Sequence, residues 1–400
     1  MLVKAYKYRL YPTREQQQYL TRYFGQLRYI YNHCLSEHQK AYEAHKADSS
    51  NPKPSIYAGG FYKMYTAIKA NPETSWLQEV PAMAVIGSLR NLQTAYANTF
   101  RNLKSGKPTG FPRFKTKRSK QSIYLSGKEF SIVNNRLKIP KLPGLLKIRW
   151  SREIPSQPTS MTLFKTSSSH YYVVYTCQYQ PTPKPPKTMS ILGIDVGLRD
   201  YATLSTGEHI THPKHYHRLE RRLAHQQRRL SRQKKGSNSY NRTKVALAKT
   251  HAKISNQRHD FLHKLTRKLI DDNQAIAIED LRISNMTKNR HLAKSIVTSA
   301  WGSFFLYLGY KAIELQRKIL LAPTNFPSTQ LCSNCRTRPD KRLSLAIKQW
   351  HCPNCLTQHN RDHNASANLK KLAEMAISQW MLDPKTLVYL DSSGYEVKPG

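Results

Sequence analysis

The sequence predicts an α/β protein of at least two domains. A basic, β-rich N-terminal part carries a helical insertion, and a C-terminal part alternates strands and helices around a cysteine ribbon. Three observations lead there. The 400 residues exceed the roughly 100 to 200 of one ordinary domain. Hydrophobic periodicity switches between two and 3.6 residues along the chain. Two Cys-x-x-Cys pairs stand near the C-terminal end.

Composition narrows the partners. Lysine and arginine number 65 against 24 aspartates and glutamates, a formal charge of +41, and so large an excess calls for a polyanion. At two phosphates per base pair it matches about 20 base pairs of duplex, a long track rather than a mononucleotide pocket. The N-terminus has no apolar core of a secretory signal, so retention in the cytoplasm is expected. The weakly charged stretch 295–310 is too short to span a membrane and reads as a buried helix.

Residues 2–11, LVKAYKYRLY, alternate apolar and basic side chains, the pattern of a half-buried strand. From 12 to 103 the period becomes helical, with Leu20, Phe24, Leu27 and Ile30 and then Val85, Leu89, Leu92 and Tyr96 at three- and four-residue spacing; residues 51–60 interrupt it as a loop. After the basic loop 105–120, β-branched and aromatic segments up to 187 suggest a small antiparallel barrel. The first strand belongs to it, which makes the helical block an insertion. Residues 181–187, PTPKPPK, form a linker, because proline favours extended polyproline conformation.

The second domain begins near 188. MSILGIDVG reads as a buried strand followed by a hairpin turning at Thr206 and Gly207. Residues 214–268 hold 17 lysines and arginines against two acids on a helical period, a basic helical hairpin broken at KKGSNS. QAIAIEDL and RKILLAP are further buried strands, Asp362 opens a last helix, and 381–400 reads as a loose tail. Cys332, Cys335, Cys352 and Cys355, with 16 residues between the pairs, have the spacing of a closed structural zinc ribbon. Lone Cys34 and Cys177 read as small buried hydrophobes.

In an acid-poor chain, an acid at the end of a buried strand stands out. Asp195 ends ILGIDVG, Glu279 ends AIAIEDL and Asp362 leads the last helix. A β-β-β-α-β-α-β-α layout brings these three positions together at one edge of a ribonuclease H-like fold. Carboxylates that close repel one another and are tolerated around divalent cations with hard oxygen ligands, typically Mg²⁺. Alone, each would be an ordinary cap or ion-pair partner; Asp200, Glu208 and Asp280 are read as supporting or solvated acids.

KAYKYRLYPTREQ, RYIYNHCL, GFPRFK, LKIPKLPG, GIDVG, IEDL, STQLCSNC, WHCPNC and RDHNASANL together resemble the TnpB family, transposon-encoded relatives of the type V CRISPR effectors, over about residues 1–376. The resemblance implies an RNase H-like (RuvC) nuclease domain at 188–324 and 359–380, interrupted by a zinc-ribbon target-nucleic-acid-binding insertion at 325–358. It implies a wedge β-barrel from 1–11 and 104–187, with a helical recognition insertion at 12–103. It implies an insertion-sequence, RNA-guided DNA endonuclease whose guide RNA comes from the transposon end. A short target-adjacent motif licenses Mg²⁺-dependent cutting of double-stranded DNA, which leaves a 5′-phosphate and a 3′-hydroxyl. By motif, Asp195, Glu279 and Asp362 are catalytic and hold magnesium, and the four cysteines hold zinc. Two departures stand out: Arg336 and Leu356 replace the glycine that commonly follows each cysteine pair, and Asn360 stands where the family often has an aspartate.

Arg113, Lys115, Lys117 and Arg118 in the basic loop and Arg222, Arg229, Lys234 and Lys235 in the basic hairpin are the candidate phosphate contacts, with Phe111, Phe114 and Tyr240 as candidate stacking partners. Such a protein is expected to associate with the prokaryotic nucleoid through its RNA and DNA. The alternative is a nuclease-inactive RNA-guided DNA-binding regulator on the same scaffold, which is expected to lose at least one acid of the triad. A cut-and-paste transposase has a shorter second interval than the 83 positions from Glu279 to Asp362.

Overall fold

The computed structural model describes residues 1–181, 184–213, 215–341, 343–344, 346–376, 387–390 and 396–397. These form two compact units, Met1–Gln180 and Pro181–Gly400, so the break comes at the start of the proline-rich segment rather than at its end. Lys187 and Thr188 already belong to the second unit, their amides donating to the carbonyls of Asp271 and Asp272.

In the first unit, β1 (Leu2–Tyr11) buries Tyr6, Tyr8 and Leu10 and leaves Lys7 and Tyr11 exposed, as its alternation predicts. A capping box between Thr13 and Gln16 starts α1 (Arg14–Ala47), each side chain satisfying the other residue's amide. α2 (Ala58–Ala70) begins inside the expected loop, and α3 (Ala82–Lys104) completes the helical block. There follow β2 (Gln121–Ser126), β3 (Ser131–Val133), β4 (Arg136–Lys138), β5 (Leu146–Arg149), β6 (Ser160–Lys165) and β7 (Tyr171–Tyr179). Their sheet runs β2-β6-β7-β1-β5-β4-β3, all antiparallel. No ladder among the described residues joins the edge strands β2 and β3, but they are consecutive in the chain with only residues 127–130 between them, so the sheet curls round toward the expected barrel. Helices and sheet share one core, in which Leu20, Ile30, Leu89, Leu92, Leu125 and Val173 are fully buried.

The second unit is built on β8 (Ile191–Val196), β9 (Asp200–Leu204), β10 (His209–Thr211), α4 (His215–Arg232), α5 (Asn238–Asp272), β11 (Ala275–Glu279), α6 (Ile283–Met286), α7 (Arg290–Ser299), α8 (Trp301–Leu315), β12 (Lys318–Ala322), β13 (Gln349–His351), β14 (Gln358–Asn360) and α9 (Arg361–Met375). The stretch 295–310, expected as one helix, is divided between α7 and α8 because Ala300 adopts a left-handed φ of 55°. In the expected loose tail, Leu387–Leu390 forms a strand, β15, parallel to β12 with Val388 and Leu390 buried. Glu396–Val397 is β16, antiparallel to it. Residues 381–386, 391–395 and 398–400 lie outside those described.

The sheet order is β10-β9-β8-β11-β12-β15-β16. β8, β11 and β12 run parallel and are apolar on both faces, because helices cover both. Leu192, Ile194, Ile276 and Ile278 face the core shared with α5 and α8, while Ile191, Ala275 and Ala277 face Leu369, Leu372 and Ala373 of α9. No described helix is long and apolar enough to cross a membrane.

Candidate active site and cysteine cluster

Side chains alternate along a strand, and that alternation fixes where the acids point. Ile194 and Ile278 are partners in the β8–β11 register, so Asp195 and Glu279 fall beside each other one position further on. They share the α9 face with Gly193 and Ala277. Gly193 is what lets α9 come down on that face: a Cβ there would lie 1.9 Å from the Ser366 carbonyl oxygen and 2.8 Å from the Lys370 amide nitrogen. Asp362 sits in the first turn of α9, whose N-cap Asn360 accepts from the amides of Asp362 and His363 at 3.1 and 3.2 Å. The cap role explains why an amide suffices at 360.

The acids converge electrostatically. Burial holds the Asp195 carboxyl well above the ordinary carboxylate range, and the charges of Glu279 and Asp362 push it further, partly offset by Lys348 and Arg361. Glu279 is raised by burial, with a hydrogen bond from the Ser328 hydroxyl working the other way. Lys348 donates to both Asp362 oxygens, at 3.1 and 3.0 Å. Buried negative charge of this kind, made of oxygen donors, matches a hard divalent cation. Among the described residues the four cysteines form the one group drawn close enough to hold an ion as they stand; the three carboxylates do not form such a group. Asp200 instead faces His209 at 3.3 Å, and Glu208 pairs with Lys268.

The loop from β12 into the cysteines is held by two asparagines one turn apart on α9. Asn364 and Asn368 Nδ2 donate to the Leu331 carbonyl at 2.7 and 2.6 Å, and Asn368 also to that of Ser328 at 2.8 Å. Thus the helix carrying Asp362 also fixes the loop that supplies Ser328. Sequence reasoning missed Ser328, Lys348 and both asparagines. Only the i, i+4 spacing within HNASAN offered a signal.

In the cluster, Cys332 and Cys355 Sγ lie 3.6 Å apart and Cys335 and Cys352 Sγ 3.5 Å apart, close to the edge of about 3.8 Å that Zn–S bonds of about 2.3 Å give a tetrahedron. Each pair forms the same knuckle: the Cys332 amide donates to the Thr337 carbonyl and that of Cys352 to Thr357, both at 3.0 Å. Arg336 and Leu356 take left-handed φ values of 62° and 57°, so the turns that glycine usually makes form without it. Hydrogen bonds around Thr337 and Thr357 lower the Cys335 and Cys355 thiols, whereas burial raises Cys332. His359 Nε2 lies 3.0 Å from Cys332 Sγ, its ring against Trp350.

Of the expected phosphate contacts, Arg113, Lys117, Arg118, Arg222, Arg229, Lys234 and Lys235 are exposed. Lys115 is partly buried: its ammonium sits 3.7 Å from the Tyr31 ring centre, a cation–π contact, and burial lowers its pKa to about 8. Phe111 and Phe114 are 59% and 53% exposed and Tyr240 is partly buried.

A protein of Streptomyces pristinaespiralis, named provisionally as an RNA-guided DNA endonuclease, is 37% identical over 92% of this chain and 88% of its own length. The chain belongs to the TnpB family. Within that family, Escherichia coli (strain K12) InsQ, named in the same way, is 29% identical over 92% of this chain and 91% of its own. Family models agree: the IS605 OrfB "Probable transposase" matches residues 173–290, a Cas12f1-like TNB domain 301–369, and an IS605 OrfB helix-turn-helix domain 1–47. Over 1–47 the structure has one strand and a single long helix. A Cas12f1 solved with single-guide RNA and target DNA shares the fold, with a TM-score of 0.53 at 12% identity over 92% of this chain and 98% of its own.

Proposed function

We propose that this chain is an RNA-guided DNA endonuclease of an insertion sequence. It cuts double-stranded DNA at one RuvC-like site made of Asp195, Glu279 and Asp362. The observation that carries the reading is the β8–β11 register, which aligns Asp195 with Glu279 beneath the first turn of α9. The sheet order β10-β9-β8-β11-β12 supports an RNase H-like reading of the second unit. Its nuclease segments would be 188–324 and 359–380, and 325–358 the target-binding ribbon. In the first unit the curled sheet would be the wedge and 12–103 the recognition insertion.

Magnesium ions held by the three acids would stabilise the attacking and leaving oxygens of an in-line phosphodiester displacement. The protein's own part is placement. Asp195 and Glu279 ride on the rigid sheet, Ser328 fixes the Glu279 carboxylate, and Gly193 keeps α9 near enough for Asp362 to complete the set. Base pairing with a guide RNA from the transposon end carries specificity, while the protein grips the backbone and reads a short adjacent motif. The exposed arginines and lysines at 113, 117, 118, 222, 229, 234 and 235 are the candidate contacts. Nucleoid association follows from those partners.

Asp195→Ala is expected to abolish Mg²⁺-dependent cutting of a guide-matched duplex, by at least a hundredfold, while guide RNA binding stays within about twofold. Cutting at the wild-type rate rejects the assignment. Zinc is the ion proposed for the cysteines. Replacing Cys352 and Cys355 by serine is expected to lower bound zinc, measured by elemental analysis, and to weaken target engagement; unchanged zinc stoichiometry counts against the ribbon.

A further inference from the structure

We propose that Lys348 is a positioning residue that sets the cation affinity of the acidic site, its ammonium holding the Asp362 carboxylate and competing with divalent cations for it. The inference rests on reading the three carboxylates as a cation site, and it gives the ribbon segment a role in that site besides any contact with nucleic acid.

The contact is a built one. Lys348 Nζ reaches both oxygens of Asp362, at 3.1 and 3.0 Å, and so occupies part of the charge that a metal ion would draw on. The main chain brackets it: the Lys348 carbonyl accepts from the Arg361 amide at 2.8 Å, one residue before Asp362. Lys348 also leads straight into β13, whose Trp350 packs with Cys352, the residue after the strand, in the core of the cysteine cluster, so folding of the ribbon delivers the ammonium to the start of α9. The other nearby cation, Arg361, is directed elsewhere, its Nη1 donating to the Ser344 carbonyl at 2.6 Å. Side-chain exposures of 41% for Lys348 and 24% for Asp362 give a partly shielded pair, stronger than a surface ion pair and still open to displacement.

An ammonium and a divalent cation gathered at one carboxylate repel each other, and the ammonium takes up part of the negative charge the ion would otherwise feel. Lys348 therefore keeps the acids tolerable to one another when no metal is bound, and metal binding has to work against its charge. Removing its charge leaves the acids free for the ion.

The test is a calorimetric Mn²⁺ titration of the zinc-loaded full chain, comparing wild type, Lys348→Met, Lys348→Arg and Asp195→Ala. Lys348→Met keeps the apolar stem and loses the charge; it is expected to bind Mn²⁺ about fivefold more tightly, the size of one partly exposed ion pair. Lys348→Arg is expected to restore wild-type affinity. Wild-type or weaker affinity in Lys348→Met, with zinc content and melting temperature unchanged, overturns the proposal. Should that variant lose zinc, Lys348→Gln is titrated instead under the same criterion. Asp195→Ala separates the two readings. If it binds Mn²⁺ as wild type does, the cation site itself is wrong; if it loses Mn²⁺ while the lysine variants do not differ, only the role of Lys348 falls.

Discussion

Gly193 shows how much of the site turns on one missing methyl group. A Cβ there would meet backbone of α9 at 1.9 and 2.8 Å, and main chain cannot yield as a flexible side chain can. Gly193→Ala is expected to cost at least about 2 kcal/mol, at the upper end for overpacking, and to lift Asp362 away from Asp195, so that a lower urea midpoint is accompanied by lost cutting. A stable, active variant would show that α9 does not need this approach. Asp195 has the opposite character, being costly to the fold. Asp195→Asn is expected to raise stability by about 1 to 2 kcal/mol in buffer without added magnesium, because it removes a buried charge repelled by Glu279 and Asp362. The sign with pH follows: the raised carboxyl of the native state binds a proton that the unfolded chain has already released. Its contribution is complete below the ordinary carboxylate range and is lost as pH rises through the raised value, so the urea midpoint of wild type falls more steeply with pH than that of Asp195→Asn, which keeps only the raised Glu279. The placement of Asp195 and Glu279 near strand ends and of Asp362 in the first turn of α9 was readable from sequence, since each acid stands at the end of an apolar run or the start of a helical one. Ser328, Lys348, Asn364 and Asn368 were not, because each gains its role from a contact between distant segments that no local pattern announces.

Elements with a strong local signature were legible, and those decided by packing were not. The alternation of β1 and the spacing of the cysteine pairs each carry their own physics, and each stands where expected. The strand order of the first sheet depends on which strands find one another, and the break at Ala300 depends on a single left-handed residue; neither leaves a periodic trace. The two cysteine knuckles make a testable case of local strain. Arg336 and Leu356 hold left-handed conformations that cost an L-residue about 1 kcal/mol relative to glycine, and Leu356 is 76% exposed, so it has little packing to lose. Leu356→Gly is expected to slow zinc loss to a chelator severalfold. Unchanged or faster release would mean that the knuckle carries no such strain.

At the scale of the molecule, the charge of +41 has to be met by phosphate, and its effect is measurable as a salt slope. Affinity for the guide RNA is expected to fall at least a thousandfold between 50 and 200 mM salt, as when about six or more phosphates are neutralised; a slope below about three in a double-logarithmic plot would mean that the excess lies off the binding track. Neutralising Arg222, Arg229, Lys234 and Lys235 together is expected to flatten that slope. The two-unit organisation was visible in the proline-rich segment, but its boundary was set seven residues late because residues 187 and 188 pair with the end of α5, a long-range match.

β15 carries a practical lesson for anyone shortening this protein. Ile319, Leu320 and Leu321 are zipped to Leu387, Val388 and Tyr389, so clipping the last twenty residues as dispensable would strip the flank of β12 bare. The naked main-chain groups there would recruit strands from other copies, and the trimmed product would precipitate before its activity was ever assayed.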